Sequence, residues 1–257
     1  MSTAFDKSID FDAAVLLGLV PGWTQVRVVG YNADIDAGTE DLWQGGGVKT
    51  FPTTAGAVTI VSTSASDAAA GTGAIAVVVE GLDANYTPIS ETLLLNGVSN
   101  VVGAQLFFRV NRAYVTIVGS GGVNAGDISG TVGGNTQFFI AAGFGATQDG
   151  HYTIPAGYTM LVTRYQIACG RLGAVDLQVV GAARTPNGAS TDGYGSWLVL
   201  NSFSMSEGSS HVLEPRFRLF QGKTDVRIQG VSSGANASAT VIWMGYLIEN
   251  NALIASR

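Results

Sequence analysis

One stretch of the sequence matches a catalytic motif formally: Gly230-Val-Ser232-Ser-Gly234, the G-x-S-x-G of a serine nucleophile elbow. That elbow needs a strand before it, a helix after it, and an acid and then a histidine downstream. Here a strand pattern follows (Ala237–Glu249) and no histidine lies beyond His211, so the match reads as a loop between strands. Asp34, Asp36, Glu40 and Asp41 gather four carboxylates in eight residues, a density that can hold Ca²⁺. EF-hand spacing fails, with Gly38 one place early and Gly45 where the bidentate Glu belongs, which leaves a solvated turn. His151 and His211 have no Cys or carboxylate at metal-ligand spacing. Cys169, the single cysteine, lies in the apolar run Tyr165–Cys169 and reads as a small buried hydrophobe.

Weaker signals remain. Tyr194 and Trp197, in and beside the loop Ser190–Ser196, offer either an exposed aromatic platform for a partner or sugar ring, or ordinary core. Arg216 and Arg218 share one strand face, solvated or ion-paired across a subunit boundary. Asn85-Tyr-Thr87 and Asn236-Ala-Ser238 are sequons that carry no weight without a signal peptide. The expectation is a chain with no catalytic residue, no cofactor and no metal.

The elements that would position such residues are short, alternating strands closed by glycines. Val26 to Gly30, Ile75–Val79, Tyr114–Ile117, Val175–Val179, Val226–Ile228 and Ala239–Tyr246 all fit this description. Charged residues make up 12% of the 257, about half the ~25% usual in soluble domains. Mean hydropathy is +0.29, yet the longest early apolar run, Ala13–Val20, is about half of a membrane span. The aromatic girdles of a transmembrane barrel are not evident. Low charge then means either a surface dressed in hydroxyls and amides or one covered by other subunits, and the second reading is favoured. A net charge of −6, with 13 scattered Lys and Arg, gives nucleic acid no basic face.

Residues 1–24 read as an extended N-terminal arm, ending in Pro21-Gly22-Trp23, with Ala13–Val20 the one helical prospect. Residues 25–146 read as an N-terminal β-sandwich, with Asn96-Gly97 a tight-turn signal. The apolar pattern lapses at Phe144–Gly150. Residues 147–257 then read as a C-terminal jelly-roll-like sandwich. Its last strand, Ala237–Glu249, is apolar on both faces and belongs at the centre of a sheet or against another chain. The fold class expected is all-β.

Several phrases together resemble virion structural proteins of tailed bacteriophages, particularly short-tailed ones. They are Gly30-Tyr-Asn-Ala-Asp34 with Glu40-Asp-Leu-Trp43, Ala70-Gly-Thr-Gly73, Gly81-Leu-Asp-Ala-Asn-Tyr86 and Ile89-Ser-Glu-Thr-Leu93. Arg109-Val-Asn-Arg112, Asn124-Ala-Gly-Asp-Ile128, Tyr152-Thr-Ile-Pro-Ala-Gly157 and Lys223-Thr-Asp-Val-Arg227 complete the set. The resemblance implies a β-rich, non-enzymatic, multimeric subunit assembled in the host cytoplasm, and carries over no catalytic residues. The expectation drawn from it is a capsid decoration, or cement, protein: a homotrimer that binds the major capsid protein and stabilises the head. The alternative is a tail fiber, tail-tip or adaptor protein that contacts a host surface glycan. No membrane partner and no direct nucleic-acid partner is expected. A hydrolase is disfavoured, since no paired carboxylates or Ser-His arrangement is visible.

Overall fold

In a computed structural model the chain is all-β, built as two antiparallel sandwiches, and the structure describes residues 9–171, 176–186, 193–213, 218–234 and 236–254. After a short helix α1 (Phe11–Leu16) come β1 (Trp23–Ile35) and β2 (Gly38–Asp41). The first sandwich then runs β3 (Gly56–Ser62), β4 (Ala74–Leu82), β5 (Pro88–Leu94), β6 (Val101–Phe107), β7 (Arg109–Val118), β8 (Ile128–Val132) and β9 (Asn135–Ile140). The second holds β10 (Tyr152–Thr153), β11 (Tyr158–Arg171), β12 (Leu177–Arg184), β13 (Leu198–Met205), β14 (Ser210–Leu213), β15 (Arg218–Gln221), β16 (Asp225–Ser232) and β17 (Ala237–Glu249), before α2 (Asn250–Ile254).

In the first sandwich one sheet is ordered β6-β3-β8-β9 and the other β5-β4-β7. Period-2 alternation puts Val58 and Ile60 of β3, Val77 and Val79 of β4, and Ile128 of β8 between the sheets. Each such buried side chain contributes about 1.5–3 kcal/mol. Asn96-Gly97 does turn, with Gly97 at φ 60°, but β5 and β6 lie in different sheets. The tight turn expected there therefore crosses the open side of the sandwich.

Glu91 of β5 closes that side. Its carboxylate accepts hydrogen bonds from the Ala104 and Gln105 amides (2.7 and 3.1 Å), in the stretch where β6 slips register against β3. Glu91→Ala should cost about 1–2 kcal/mol, because two edge amides lose a charged acceptor. Urea unfolding of the variant checks this. Asp67 does similar work inside, accepting from the Ser62 hydroxyl and the Ala74, Ala125 and Gly126 amides. Burial raises its carboxyl, and those donors outweigh burial and hold it below its ordinary value.

The second sandwich has sheet orders β1-β17-β11-β14, with β15 also on β11, and β10-β16-β12-β13. Taking β14 and β15 as one position and counting from β1, the sheets read 1-8-3-6 and 2-7-4-5, the connectivity of an eight-stranded jelly roll. The expectation that residues 147–257 hold the whole sandwich needs correction. Its first strand is β1, antiparallel to β17 from Trp23↔Ile248 to Asn32↔Ala239. The first sandwich is thus an insertion between the jelly roll's first and second strands. β1 reads as a member of residues 25–146 because its partner is more than 200 residues away. The last strand is central, between β1 and β11, with Val241 and Trp243 fully buried.

The arm is docked on its own chain over its described part. Asp10 caps α1 by accepting from the Asp12 amide, and the helix spans Phe11–Leu16, where Ala13–Val20 was expected. It ends at Gly18, whose φ of 71° suits a residue without Cβ. Phe11 meets the rings of Trp23 and Tyr246 at 5.4 Å each, Val15 is buried, and the Tyr246 hydroxyl donates to Asp12.

Candidate functional site

The densest chemistry in the molecule lies where the two sandwiches meet, and it is built on Asp225. This residue opens β16 and is 0% exposed. Its Oδ1 accepts from Arg109 Nε (3.2 Å) and the Thr153 hydroxyl (2.6 Å), and its Oδ2 from Arg109 Nη2 (3.2 Å) and Arg184 Nε (3.1 Å). Arg109 opens β7 of the first sandwich, while Thr153 and Arg184 sit on β10 and β12 of the second. The Arg109 fork therefore spans the junction, and its Nη1 donates to the Phe108 and Pro52 carbonyls.

Aromatic rings wall off the two guanidiniums. Phe108, Tyr194 and Phe51 lie 4.2–4.9 Å from Arg109, and Tyr194 and Trp197 lie 4.5–4.6 Å from Arg184. Burial works against ionisation of Asp225, but donors facing it from the His151 and Arg109 sides outweigh burial and hold its carboxyl well below the usual range.

His151 completes the cluster. The Thr153 hydroxyl donates to Asp225, so its oxygen is left to accept from His151 Nε2 at 3.2 Å. This fixes the neutral Nε2–H tautomer. The other ring nitrogen, Nδ1, is buried with no hydrogen-bond partner. A proton there would have no acceptor, and burial pushes the imidazole pKa down to about 4. Beside it, buried Lys49 donates to Asp149 at 2.6 Å, and Asp149 also accepts from the His151 amide.

Backbone fastenings surround the charges. The Asn111 amide on β7 makes both hydrogen bonds with the Thr153 main chain, each 2.9 Å. Tyr86 takes φ 64°, rare for a bulky residue, at the tip of the β4–β5 turn. It packs there with Phe108 and Tyr194 and accepts from the Ala156 amide. Every oxygen of Asp225 is engaged by the chain itself. The arrangement clamps two sandwiches together, with Asp225 shielded from solvent.

The motifs singled out in the sequence fall elsewhere. The Ser232 hydroxyl donates to the Gly234 carbonyl at 2.6 Å and is followed by β17, so the G-x-S-x-G is a loop between strands. Glu40 takes hydrogen bonds from the Asp36 and Gly47 amides and from Asn32, and Asp41 from the Lys49 amide. These two carboxylates order the loop around them. No group of three potential metal ligands is drawn together among the described residues. Cys169 is buried and His211 is exposed on β14. Tyr194 is 1% exposed and donates to the Lys223 carbonyl, which removes it from any surface platform; residues 187–192 of its loop and Arg216 lie outside the described residues. Arg218 is half-buried and donates to Asn201 at 3.3 Å.

Sequence reasoning missed Arg109, Arg184, Asp225 and His151 as one constellation. The available signal was charge inside apolar strand runs (Phe108-Arg-Val110, Ala182-Ala-Arg184, Asp225-Val226) in a chain so poor in charge.

No protein-family model and no curated protein matches the sequence. Among solved structures, the N-terminal CBM22-1–CBM22-2 tandem domain of Paenibacillus barcinonensis Xyn10C aligns at 11% identity and a TM-score of 0.24, over 87% of this chain and 93% of that one. The structure of the infectious bursal disease virus Gx strain aligns at 9% identity and a TM-score of 0.23, over 94% and 77%. The VP2 subviral particle of the same virus aligns at 8% identity and a TM-score of 0.20, over 94% and 82%. Likenesses this faint decide neither fold nor function.

Proposed function

We propose that the chain is a virion structural subunit of a tailed bacteriophage, most specifically a capsid decoration protein that seats on the major capsid protein as a homotrimer. The observation that carries this reading is apolar surface on several separate faces of a chain with 12% charge. Leu16, Leu17 and Leu19 of the arm, Val102 and Leu106 of β6, Leu198 and Val199 of β13, and Val212 and Leu219 of β14 and β15 are all half exposed or more. Such faces suit a subunit covered by neighbours. Its mechanism is contact area, above about 1,000 Å² for an interface that holds. The role is structural rather than catalytic: the best-placed acid, Asp225, and the motif serine, Ser232, are both occupied by their own chain. The resemblance in the sequence supplies the kind of particle.

Quantitative mass spectrometry of purified particles tests this. A decoration protein stands in simple ratio to the major capsid protein and rebinds to stripped heads. A small minority of copies, with binding to host cells, would instead place it in the tail. A chain that is monomeric in solution and absent from particles would end the proposal.

A further inference from the structure

We infer that the groove between the two sandwiches is a docking site for an extended peptide that carries an acidic residue and joins the sheet as a strand beside β1. The inference rests on the proposed function only for the source of that peptide, a neighbouring subunit.

The groove encloses about 800 Å³. One wall is Gln25–Val29 of β1, a five-residue stretch about 13 Å long at the ordinary strand rise. Among the described residues β1 ends its sheet and pairs only with β17. The backbone groups of Gln25–Val29 that point away from β17 make no hydrogen bond among the described residues. An unpaired strand edge is a template for another strand, and natural edges are usually shortened, bulged or covered to prevent this. This one is regular from Trp23 to Asn32, with no proline.

Elsewhere in the lining, Leu82, Ile89 and Phe144 supply apolar surface among Glu80, Ser90, Asn111 and Arg112, and Leu247 lies beside β1 on β17. In β-augmentation, main-chain bonds give affinity and pockets for alternate side chains give selectivity.

The charges select the sign of the guest. Asp149, at one end, is taken by Lys49. Glu80 accepts from the Tyr114 hydroxyl at 3.1 Å and stands opposite Arg112 in the β4–β7 ladder. Arg27 is exposed on the β1 edge and has no ion-pair partner among the described residues. It discourages neutral edges from pairing at random and leaves one positive charge for an incoming carboxylate to answer.

The test uses the full chain and two synthetic nine-residue peptides of alternating Thr and Val, identical except for a central Glu or Lys. Fluorescence anisotropy should show the Glu peptide bound about fivefold more tightly than the Lys peptide, the worth of one exposed ion pair. Arg27→Glu should invert that order with thermal stability unchanged. Hydrogen exchange should slow at residues 24–29 when the Glu peptide binds. The inference is overturned if neither peptide binds, if Arg27→Glu leaves the order intact, or if protection appears elsewhere. It is equally overturned if neutral oligosaccharides fill the groove and the peptides do not. Because the assay needs no particle, its failure leaves the virion reading standing, and absence from particles leaves the groove result standing.

Discussion

Asp225→Ala should destabilise the protein by about 3–5 kcal/mol, a large fraction of the ~5–15 kcal/mol that holds most domains folded. The cost arises from what is left behind. Arg109 and Arg184 would remain buried after losing the carboxylate to which both donate. Arg109→Ala should cost a comparable amount for the mirror reason, since buried Asp225 would lose the guanidinium that donates to both of its oxygens. Combining the two should cost clearly less than their sum, because each already breaks the same pair. Urea unfolding followed by tryptophan fluorescence measures all three variants. Additive costs would show that the two residues act independently and that the clamp is not one unit. Since Arg109 and Asp225 belong to different sandwiches, the variants should also make the insertion a separate target for proteolysis.

Acid should weaken the fold through His151. The His151 imidazole, ordinarily near 6.5, is held to about 4 in the folded chain. Above pH 6.5 it is neutral in both folded and unfolded chains, and its contribution is fully present. As pH falls from 6.5 toward 4, the unfolded chain takes a proton that the folded one refuses, so stability drops by about 1.4 kcal/mol per unit. The loss should reach about 2.5–3 kcal/mol by pH 4.5. Asp225, Lys49 and Asp149 are the charged groups that face the ring in this pH window. Below it, protonation of Asp225 removes what remains, since a carboxyl held low stabilises only while ionised. His151→Gln should flatten the slope between pH 6.5 and 4.5, read from urea midpoints at the two values. An unchanged slope would assign the acid loss to other groups.

The fold class was legible in the sequence because alternation and glycine punctuation are local, as in Ala237–Glu249, whose two apolar faces pointed to a central strand or to one covered by another chain, and the first is what the sheet shows. The membership of β1 was not legible. Nothing in Trp23–Ile35 says whether its partner is the next strand or one more than 200 residues on; only the closed pairing of the jelly roll decides. The site was hidden for the same reason. Arg109 and Asp225 are 116 residues apart, and a buried ion pair leaves no spacing pattern. His151 looked partnerless because its neighbours come from other strands. The loop serine, Ser232, was readable because what excludes it, the strand that follows, lies beside it in the sequence.

The placement of β1 has a consequence for synthesis. Its only ladder partner among the described residues is β17, so a growing chain must hold that strand open until a partner more than 200 residues further on emerges. The inserted sandwich, complete by Ile140, can fold while the ribosome is still working. The surrounding domain, delayed by so distant a closure, has to wait for β17. Crowding of nascent chains on one message is then most hazardous through that single waiting strand.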